Sequence, residues 1–292
     1  MSVQNICLIR QSKDLKILEE SDMSGDGIFY NINHEEKSLV VMIIGPPDTP
    51  YEGGFYFFNI RLGEKYPFKP PKVEFMTGDG KTRLNPNLYN TGKVCLSILG
   101  TWSGPSWTTC MTITTVLLAL VTVLNENPIQ NEPGYENDIG YRCKEYNRFI
   151  QHENIRLAVI KNMEDNEKYI DYFRPIMKSY IEKNIKSYFK TVNNIATFPK
   201  TLSSNIYCCH HLNDYQIFND FFKKIDGYTE ILEFTPDYKS PNKEKTQKVK
   251  KKCPSQKSSN FNVGHILKSE NDGLEYIVKL QSNGIKRWVI NK

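Results

Sequence analysis

Four short segments rich in β-branched and aromatic residues most strongly constrain what this chain can fold into. They are Gly27–His34, Ser38–Ile44, Phe55–Leu62 and Lys72–Met76. Turn-forming residues separate them, including the run Gly45-Pro46-Pro47 and the pair Gly53-Gly54. Connections this short join antiparallel neighbours, because parallel strands need a long crossover. The sequence therefore predicts a four-stranded antiparallel meander.

Helical patterns flank this meander on both sides. Residues 3–20 are predicted to form an amphipathic helix, with an apolar face made of Ile6, Ile9, Leu15 and Leu18. A helix over Thr109–Asn125, N-capped by Thr108, has an apolar stripe at Ile113, Val116, Leu117 and Leu120. A further helix is predicted over Glu136–Met163, with core candidates Tyr141, Tyr146, Phe149 and Ile150. The fold class that follows is α+β.

The segment between Met76 and Trp107 has no regular pattern, and an irregular segment of this length in a compact domain is usually functional. It contains Cys95, within the run Gly-Lys-Val-Cys-Leu-Ser-Ile-Leu-Gly. A thiolate is both a good nucleophile and a good leaving group, so a cysteine can accept an acyl group as a thioester and pass it on to an amine. Cys95 is the candidate nucleophile.

Three motifs occur in a fixed order along the chain. The first spans Gly45–Gly54, the second is Tyr66-Pro-Phe-Lys-Pro-Pro71, and the third runs from Asn85-Pro86-Asn87 to Cys95. Together they resemble the ubiquitin-conjugating enzymes (UBC fold), and the insert Gly100–Ser106 is similar to that of the large Z-type branch. The resemblance implies an N-terminal helix, the meander, an active-site loop and C-terminal helices.

The resemblance implies a ubiquitin-conjugating acyltransferase. Cys95 would receive ubiquitin or a ubiquitin-like protein from an activating enzyme and transfer it to a substrate lysine. The activating enzyme spends the ATP, so no cofactor is expected, and the sequence contains no phosphate loop of the Gly-x4-Gly-Lys type. Asn87 matches the family's amide that stabilises the oxyanion or supports the loop; the sequence leaves both roles open. Asn85 replaces the family's usual structural histidine.

Further residues are assigned by the same resemblance. Glu132 aligns with the acid that orients the attacking lysine, with a plain surface glutamate as the alternative. Phe68 matches the exposed phenylalanine that meets RING and HECT ligases, although the family's second contact loop loses its proline in Trp107-Thr108-Thr109-Cys110. Three cations on the first helix match the surface that docks the activating enzyme, with a solvated basic face as an equal alternative: Arg10, Lys13 and Lys16.

The chain of 292 residues is predicted to have four parts: a UBC core at 1–165, a helical extension at 166–235, a basic linker at 236–259 and a small β module at 260–292. The linker region Lys239–Lys257 contains eight lysines and the single acid Glu244. It is predicted to be a solvated spacer, with nucleic-acid contact as the weaker alternative. Turn signals at Asn271-Asp-Gly273 and Ser282-Asn-Gly284 predict a three-stranded meander in the last part. Its ending resembles short tails of proteins from large DNA viruses.

No metal site and no membrane span are predicted. Cys208-Cys209-His210-His211 lacks the second ligand pair that a zinc site needs, so a helix end or loop is expected there. No run approaches the roughly 18 apolar residues of a membrane span, and the N-terminus lacks a secretory signal. The expected location is cytoplasmic or nuclear, in a host cell if the protein is viral.

Two other functions are open at this stage. A catalytically inactive scaffold of the same fold would bind ubiquitin without transferring it, but such variants lack the cysteine. A cysteine hydrolase would need a histidine beside the thiol, and none of the five histidines lies in a hydrolase motif. Transfer requires that the thiol of Cys95 be reachable by an extended peptide tail, so an accessible side chain is expected.

Overall fold

The computed structural model of the chain describes residues 2–207, 209–226, 262–268, 275–280 and 286–290. The chain divides into two compact units, Met1–Phe234 and Thr235–Lys292. The first unit opens with helix α1 (Val3–Glu19), followed by strands β1 (Ile28–Asn33), β2 (Ser38–Ile44), β3 (Phe55–Arg61) and β4 (Lys72–Phe75). These strands form one antiparallel sheet in chain order. The predicted meander is confirmed.

Helices follow the sheet. They are α2 (Ile113–Thr122), α3 (Tyr141–Glu153), a π-helix at Asn154–Lys161, α4 (Asn162–Glu164), α5 (Lys168–Lys183), α6 (Ile185–Ala196) and α7 (Tyr215–Asp226). Between α6 and α7 lies a small hairpin of β5 (Thr201–Ser203) and β6 (His210–Leu212). Single turns of 3-10 helix lie at Ser24–Asp26, Ser97–Leu99 and Pro128–Asn131. The α+β fold expected from the sequence is confirmed.

Strand β3 is buried on both of its faces, since Phe55, Tyr56, Phe57 and Phe58 are all fully buried. Successive side chains of a strand point to opposite faces of the sheet. On one face the ring of Phe57 packs edge-on against Phe173 of α5, with centroids 5.6 Å apart. The helical extension therefore covers a face of the sheet, which explains why β3 is a continuous apolar run.

Helix α1 buries a different face from the predicted one. Leu15 and Leu18 are buried, but Ile6 and Ile9 are 41% and 56% exposed. Each exposed isoleucine is nine residues from one of these leucines, which is about two and a half turns, so the two pairs face opposite ways. The buried face is completed by three residues before Leu15: Cys7, Gln11 and Asp14.

Helix α2 begins later than predicted. Its N-cap is Thr112, which accepts a hydrogen bond from the Thr115 backbone N–H, and the Thr115 side chain returns a bond to the Thr112 backbone. This reciprocal capping box gives hydrogen-bond partners to the backbone N–H groups of Thr112 and Thr115. The predicted cap, Thr108, lies outside the helix. The predicted apolar stripe is correct, since all four of its members are buried: Ile113, Val116, Leu117 and Leu120.

Helix α3 also begins later than predicted, at Tyr141 rather than Glu136. Tyr141 is 73% exposed and is not a core residue. It opens the helix on the side away from the core, whereas Tyr146, Phe149 and Ile150 are fully buried as predicted. The helix continues as a π-helix in which Asn154 accepts a hydrogen bond from Tyr56 and donates one to the Glu52 carbonyl, with N···O 2.9 Å.

The extension is joined to the first half of the chain at Gly53. The hydroxyl of Tyr188 donates to the Gly53 carbonyl with an O···O distance of 2.6 Å. Gly53 has a φ of +70°, and a Cβ at this position would lie 2.9 Å from the Tyr188 hydroxyl oxygen. Only glycine satisfies both the left-handed backbone and the close approach.

His210 and His211 lie in strand β6 rather than in the predicted helix end or loop, and Cys209 comes just before the strand. His210 and His211 pair with Ser203 and Leu202 across the β5–β6 hairpin, which satisfies backbone groups of both strands. Cys208 lies outside the described residues. Where the structure describes the chain, no group of three or more His, Cys, Asp or Glu side chains is arranged to hold a metal ion.

A buried ionic cluster ties this hairpin to α3. The carboxylate of Glu153 is fully buried and accepts hydrogen bonds from His152 and Arg156, at 2.8 Å and 2.9 Å. His211 of β6 lies 3.1 Å from the same carboxylate, and Arg156 reaches on to Asp79 at 2.9 Å. Burial alone would raise the pKa of Glu153, but the hydrogen bonds from His152, His211 and Arg156 outweigh it and hold the pKa at about 2.

This cluster makes stability depend on acidic pH. Because the folded pKa of Glu153 lies below its ordinary value of 4.5, its stabilisation is present above about pH 4.5 and is lost as the pH falls towards 2. The loss is about 3 kcal/mol at most, at 1.36 kcal/mol per pKa unit. We expect Glu153→Gln to flatten the fall in unfolding free energy between pH 5 and pH 2, measured by urea titration.

The matched control is Glu35→Gln, because Glu35 is exposed. This variant is expected to keep the wild-type pH dependence. If Glu153→Gln and the wild-type protein lost stability in parallel over this range, the cluster would not be the source of the acid sensitivity.

The second unit contains strands β7 (Ile266–Lys268), β8 (Glu275–Leu280) and β9 (Lys286–Ile290), paired antiparallel in chain order. The predicted three-stranded tail is confirmed. Both of its predicted turns, and the lysine-rich region Lys239–Lys257 with its suggested nucleic-acid contact, lie outside the described residues. No helix in the described part of the chain combines the length and apolar character needed to cross a membrane.

Candidate active site

A narrow loop holds Cys95 against Asn87. The backbone N–H of Cys95 donates to the Asn87 carbonyl at 2.8 Å, and the Asn87 side-chain amide donates to the Cys95 carbonyl at 2.7 Å. The neighbouring residues Leu88 and Val94 form an antiparallel bridge. The structure thus brings together the two residues that the sequence pattern singled out most strongly. The amide of Asn87 supports the loop directly.

Asn85 fixes the turn before Asn87. Its side-chain amide donates to the hydroxyl of Tyr51 and to the carbonyl of Val123, both at 2.7 Å. Its side-chain oxygen accepts from the Asn87 backbone N–H at 2.8 Å. Asn85 is fully buried, and buried polar groups must be paired to be tolerated. Asparagine at this position therefore performs structural hydrogen bonding that the sequence resemblance gives to histidine.

The side chain of Cys95 is buried, whereas an accessible side chain was expected from the sequence. The residue is 1% exposed. The next residue, Leu96, is partly exposed, and residues 100–106 are exposed throughout. The expectation of an open thiol is thus wrong for this arrangement of the loop, since sequence pattern does not show how a loop insert packs.

The exposed segment 100–106 is fastened to both sides of Cys95. The hydroxyl of Thr101 donates to the Val94 carbonyl at 2.7 Å and accepts from the Leu96 N–H at 3.0 Å. The segment then folds back, so that a Cβ at Gly104 would lie 3.0 Å from the Cβ of Ser97. Side-chain hydrogen bonds of this kind to backbone contribute about 1 kcal/mol each, so the bonds from the Thr101 hydroxyl hold the segment only weakly.

Glu132 is more than a plain surface glutamate. It accepts a hydrogen bond from the hydroxyl of Tyr207 at 2.7 Å, and the guanidinium of Arg83 lies 3.9 Å from the same carboxylate oxygen. The guanidinium carbon of Arg83 lies 3.7 Å from the ring centroid of Tyr89 and 4.2 Å from that of Tyr207. Burial first, then the nearby Tyr146 and the bond to Glu132, raise the pKa of Tyr207 far above its ordinary range, so its hydroxyl remains a donor.

Arg83 connects this cluster to the active-site loop. Its guanidinium donates to the carbonyl of Pro86, at 2.5 Å. Pro86 lies between Asn85 and Asn87. A continuous set of contacts therefore runs from Tyr207 through Arg83 to the turn that carries Asn87. Sequence reasoning missed Arg83 and Tyr207, because a lone arginine and a tyrosine far along the chain give no local signal.

Phe68 lies at the surface beside α1. It is 52% exposed and lines an open groove of about 400 Å³ with Val3, Gln4, Cys7 and Lys65 among its other walls. The indole N–H of Trp107 donates to the Pro67 carbonyl at 2.7 Å. This bond holds the Phe68 loop against the chain that follows residues 100–106.

The three cations of α1 differ in their surroundings. Arg10 pairs with Asp14 at 2.8 Å and donates to the carbonyls of Thr109 and Met111, both at 2.9 Å. It therefore holds the chain that leads into α2. Lys13 and Lys16 are exposed and lie on the face that also carries the exposed Ile6 and Ile9.

Comparison with known proteins agrees with this geometry. The family model described as "Ubiquitin-conjugating enzyme" matches residues 10–156. The chain belongs to the ubiquitin-conjugating enzyme family. The matched region includes Phe68, Asn87, Cys95 and Glu132 and ends within the π-helix.

The chain is also similar to individual ubiquitin-conjugating enzymes. It is 40% identical to "Ubiquitin-conjugating enzyme E2 Z" of Xenopus tropicalis over 181 residues, which are 61% of this chain and 58% of that protein. It is 41% identical to the human protein of that name over 179 residues, 60% of this chain and 50% of that protein. The resemblance to the Z type is confirmed, and the chain spans about half the length of these curated relatives.

A solved structure of human ubiquitin-conjugating enzyme E2 G1 is 29% identical, covering 39% of this chain and 90% of that one with a TM-score of 0.33.

Three of the five histidines have side-chain partners other than Cys95 in the described part of the chain. His34 lies 3.2 Å from Glu19, and both His152 and His211 are directed at Glu153. The second ring nitrogen of His152 accepts from the Asp214 backbone N–H at 3.0 Å. These arrangements do not supply the imidazole base that a cysteine hydrolase needs.

Proposed function

We propose that this protein is a ubiquitin-conjugating acyltransferase that carries ubiquitin, or a ubiquitin-like protein, as a thioester on Cys95 and transfers it to a lysine amine. The observation that carries the proposal is the reciprocal pair of hydrogen bonds between Asn87 and Cys95. This pair of bonds joins Asn87 to the backbone of Cys95 and supports pairing the candidate amide with the candidate nucleophile. ATP is consumed by the activating enzyme that supplies the cargo, so the proposed reaction needs no cofactor on this chain.

The proposed chemistry has two steps. The Cys95 thiolate attacks the activated C-terminal carbonyl of the cargo, and the thiol of the activating enzyme leaves. A substrate lysine, which has lost one proton to solvent, then attacks the thioester through a tetrahedral oxyanion. The Cys95 thiolate leaves as the isopeptide bond forms, and the second proton of the attacking nitrogen passes to solvent. The Asn87 amide has two N–H donors and spends one on the Cys95 carbonyl; the other is assigned to the oxyanion. Glu132 is assigned to orient the lysine.

Access to the thiol requires the cover over Cys95 to open. We assign this movement to residues 100–106, which are exposed. They are held to the loop by the Thr101 hydroxyl and by the backbone N–H groups of Gly100 and Thr101, which donate to the carbonyls of Ser97 and Leu96. The few hydrogen bonds that must break are worth a few kcal/mol in total. Binding of a large protein partner supplies more than this.

The proposed partners follow from the exposed surfaces. Lys13 and Lys16, beside exposed isoleucines on α1, are assigned to the activating enzyme. The groove at Phe68 is assigned to a RING or HECT ligase. Arg10 is assigned a structural role, because its side chain is bonded to the backbone before α2 and so joins α1 to that segment.

The direct test is a loading assay. The protein is incubated with an activating enzyme, ATP and ubiquitin, and analysed on gels with and without reductant. A reductant-sensitive adduct supports the proposal. Absence of an adduct with every activating enzyme and modifier tried would favour an inactive scaffold.

Asn87→Ala is expected to leave charging intact and to slow discharge to lysine about a hundredfold, which corresponds to the roughly 3 kcal/mol typical of one oxyanion donor. The measurement is a single-turnover chase of the charged protein with free lysine. Equal discharge rates in the variant and the wild type would remove Asn87 from the mechanism.

A further inference from the structure

We propose that Tyr207, in the turn between β5 and β6, is a positioning residue for lysine transfer, which it serves by holding the carboxylate of Glu132. The inference rests on the proposed function, and it adds a residue from beyond the region matched by the family model, which ends at residue 156. The carrying observation is the 2.7 Å hydrogen bond from the Tyr207 hydroxyl to Glu132.

The turn that carries Tyr207 is rigidly built. The hydroxyl oxygen of Ser204, which is fully buried, accepts from the backbone N–H groups of Tyr207 and Cys209 at 3.1 Å and 3.3 Å. The Ser204 N–H donates to the Cys209 carbonyl at 3.0 Å. The hairpin itself is tied to α3 where His211 meets Glu153. These contacts constrain the backbone of Tyr207.

The ring is also fixed from the side. It packs edge-on against Tyr146 with centroids 6.2 Å apart and lies 4.2 Å from the Arg83 guanidinium carbon. Tyr146 is fully buried and Arg83 is 16% exposed. A tyrosine held in this way keeps its hydroxyl at one point, which lowers the entropy lost when Glu132 is oriented.

The contacts select one oxygen of Glu132. Both Tyr207 and Arg83 face Oε2. Because both of these contacts are made to Oε2, we assign Oε1 to the incoming amine. The side chain of Glu132 remains 27% exposed, so a lysine can reach it. A hydrogen bond to a charged carboxylate is stronger than a neutral one.

The test uses Tyr207→Phe, which removes only the hydroxyl and keeps the ring against Arg83. The full-length protein is charged with ubiquitin, the activating enzyme is stopped by removing ATP, and the thioester is chased either with a series of lysine concentrations or with a small thiol. We expect the lysine chase to slow about tenfold, chiefly as a higher KM for lysine. The thiol chase should be unchanged, because no amine has to be oriented.

Two comparison variants decide the outcome. Glu132→Gln should show the same selective loss, and the double variant should be no slower than Glu132→Gln alone, since both changes remove one interaction. Tyr172→Phe is the matched control, because Tyr172 is 53% exposed, and it should behave as wild type in both chases.

The inference is overturned if Tyr207→Phe discharges to lysine at the wild-type rate, if both chases slow together, or if the losses multiply in the double variant. It is also overturned if Glu132→Gln discharges normally, in which case Cys95 transfer survives without a role for this acid. Failure of the proposed function looks different, because the wild-type protein itself would then not become charged.

Discussion

Cys95→Ala is expected to abolish the reductant-sensitive ubiquitin adduct completely. The thioester forms on sulfur, and in the described loop no other residue offers a nucleophile flanked by the Asn87 contacts. Cys95→Ser is expected to form an adduct that survives reductant, because an oxygen ester is not cleaved by thiols. Both results are read from gels of a loading reaction run with and without reductant.

The matched control for this experiment is Cys110→Ala. Cys110 is exposed and Cys95 is 1% exposed, so accessibility alone would favour the wrong cysteine. An adduct that persisted in Cys95→Ala and disappeared in Cys110→Ala would overturn the assignment. Alkylation mapped by mass spectrometry adds a measure of access: Cys95 should react faster than the buried Cys7 and Cys143 if segment 100–106 opens.

Asn85→Ala is expected to lower the free energy of unfolding by about 3 kcal/mol, because it removes the three hydrogen bonds that this fully buried amide makes to its partners, at about 1 kcal/mol each. The partners are the Tyr51 hydroxyl, the Val123 carbonyl and the Asn87 N–H. The Tyr51 hydroxyl keeps its bond to the Leu84 carbonyl, and the Val123 carbonyl keeps its bond from the Asn131 side chain. The measurement is urea unfolding of the purified variant. The same change should slow discharge to lysine, since the turn that orients Asn87 is loosened.

Asn90→Ala provides the comparison for Asn85→Ala. Asn90 is exposed and makes only long bonds, of 3.2 Å and 3.3 Å, to the carbonyls of Gly80 and Lys81. Its loss should cost well under 1 kcal/mol. Equal costs for the two variants would mean that the network around Asn85 contributes little to stability.

The elements of the first unit follow closely from local sequence. The strand β2 lies at the predicted residues, and the stripe of α2 is buried as the helical period requires. The wrong predictions concern where a helix begins and which of its faces is buried. Thr112 rather than Thr108 caps α2 because only Thr112 has a partner at Thr115, and the exposed Ile6 and Ile9 show that apolar residues do not mark a helix face unless the spacing agrees.

In the candidate site, too, some features were predictable from the sequence and others were not. Cys95, Asn87 and Asn85 lie within one short loop, and the resemblance of that loop to the ubiquitin-conjugating enzymes brought them into one prediction. The burial of Cys95 was not predictable, because burial is set by tertiary packing and not by the residues next to the thiol in the chain. The partners of Glu132 were also hidden, since Tyr207 is 75 residues away along the chain.

Sequence alone determined the meander, the helices around it and the loop that holds Cys95, because strand alternation, helical period and turn residues act over a few neighbouring positions. Tertiary structure alone decided that the thiol is buried, that Arg10 bonds to the backbone before α2 and that Tyr207 and Arg83 contact Glu132. The physical reason is that burial, ion pairing and hydrogen bonding between distant residues depend on where the whole chain places them, and no local pattern of residues encodes that distance.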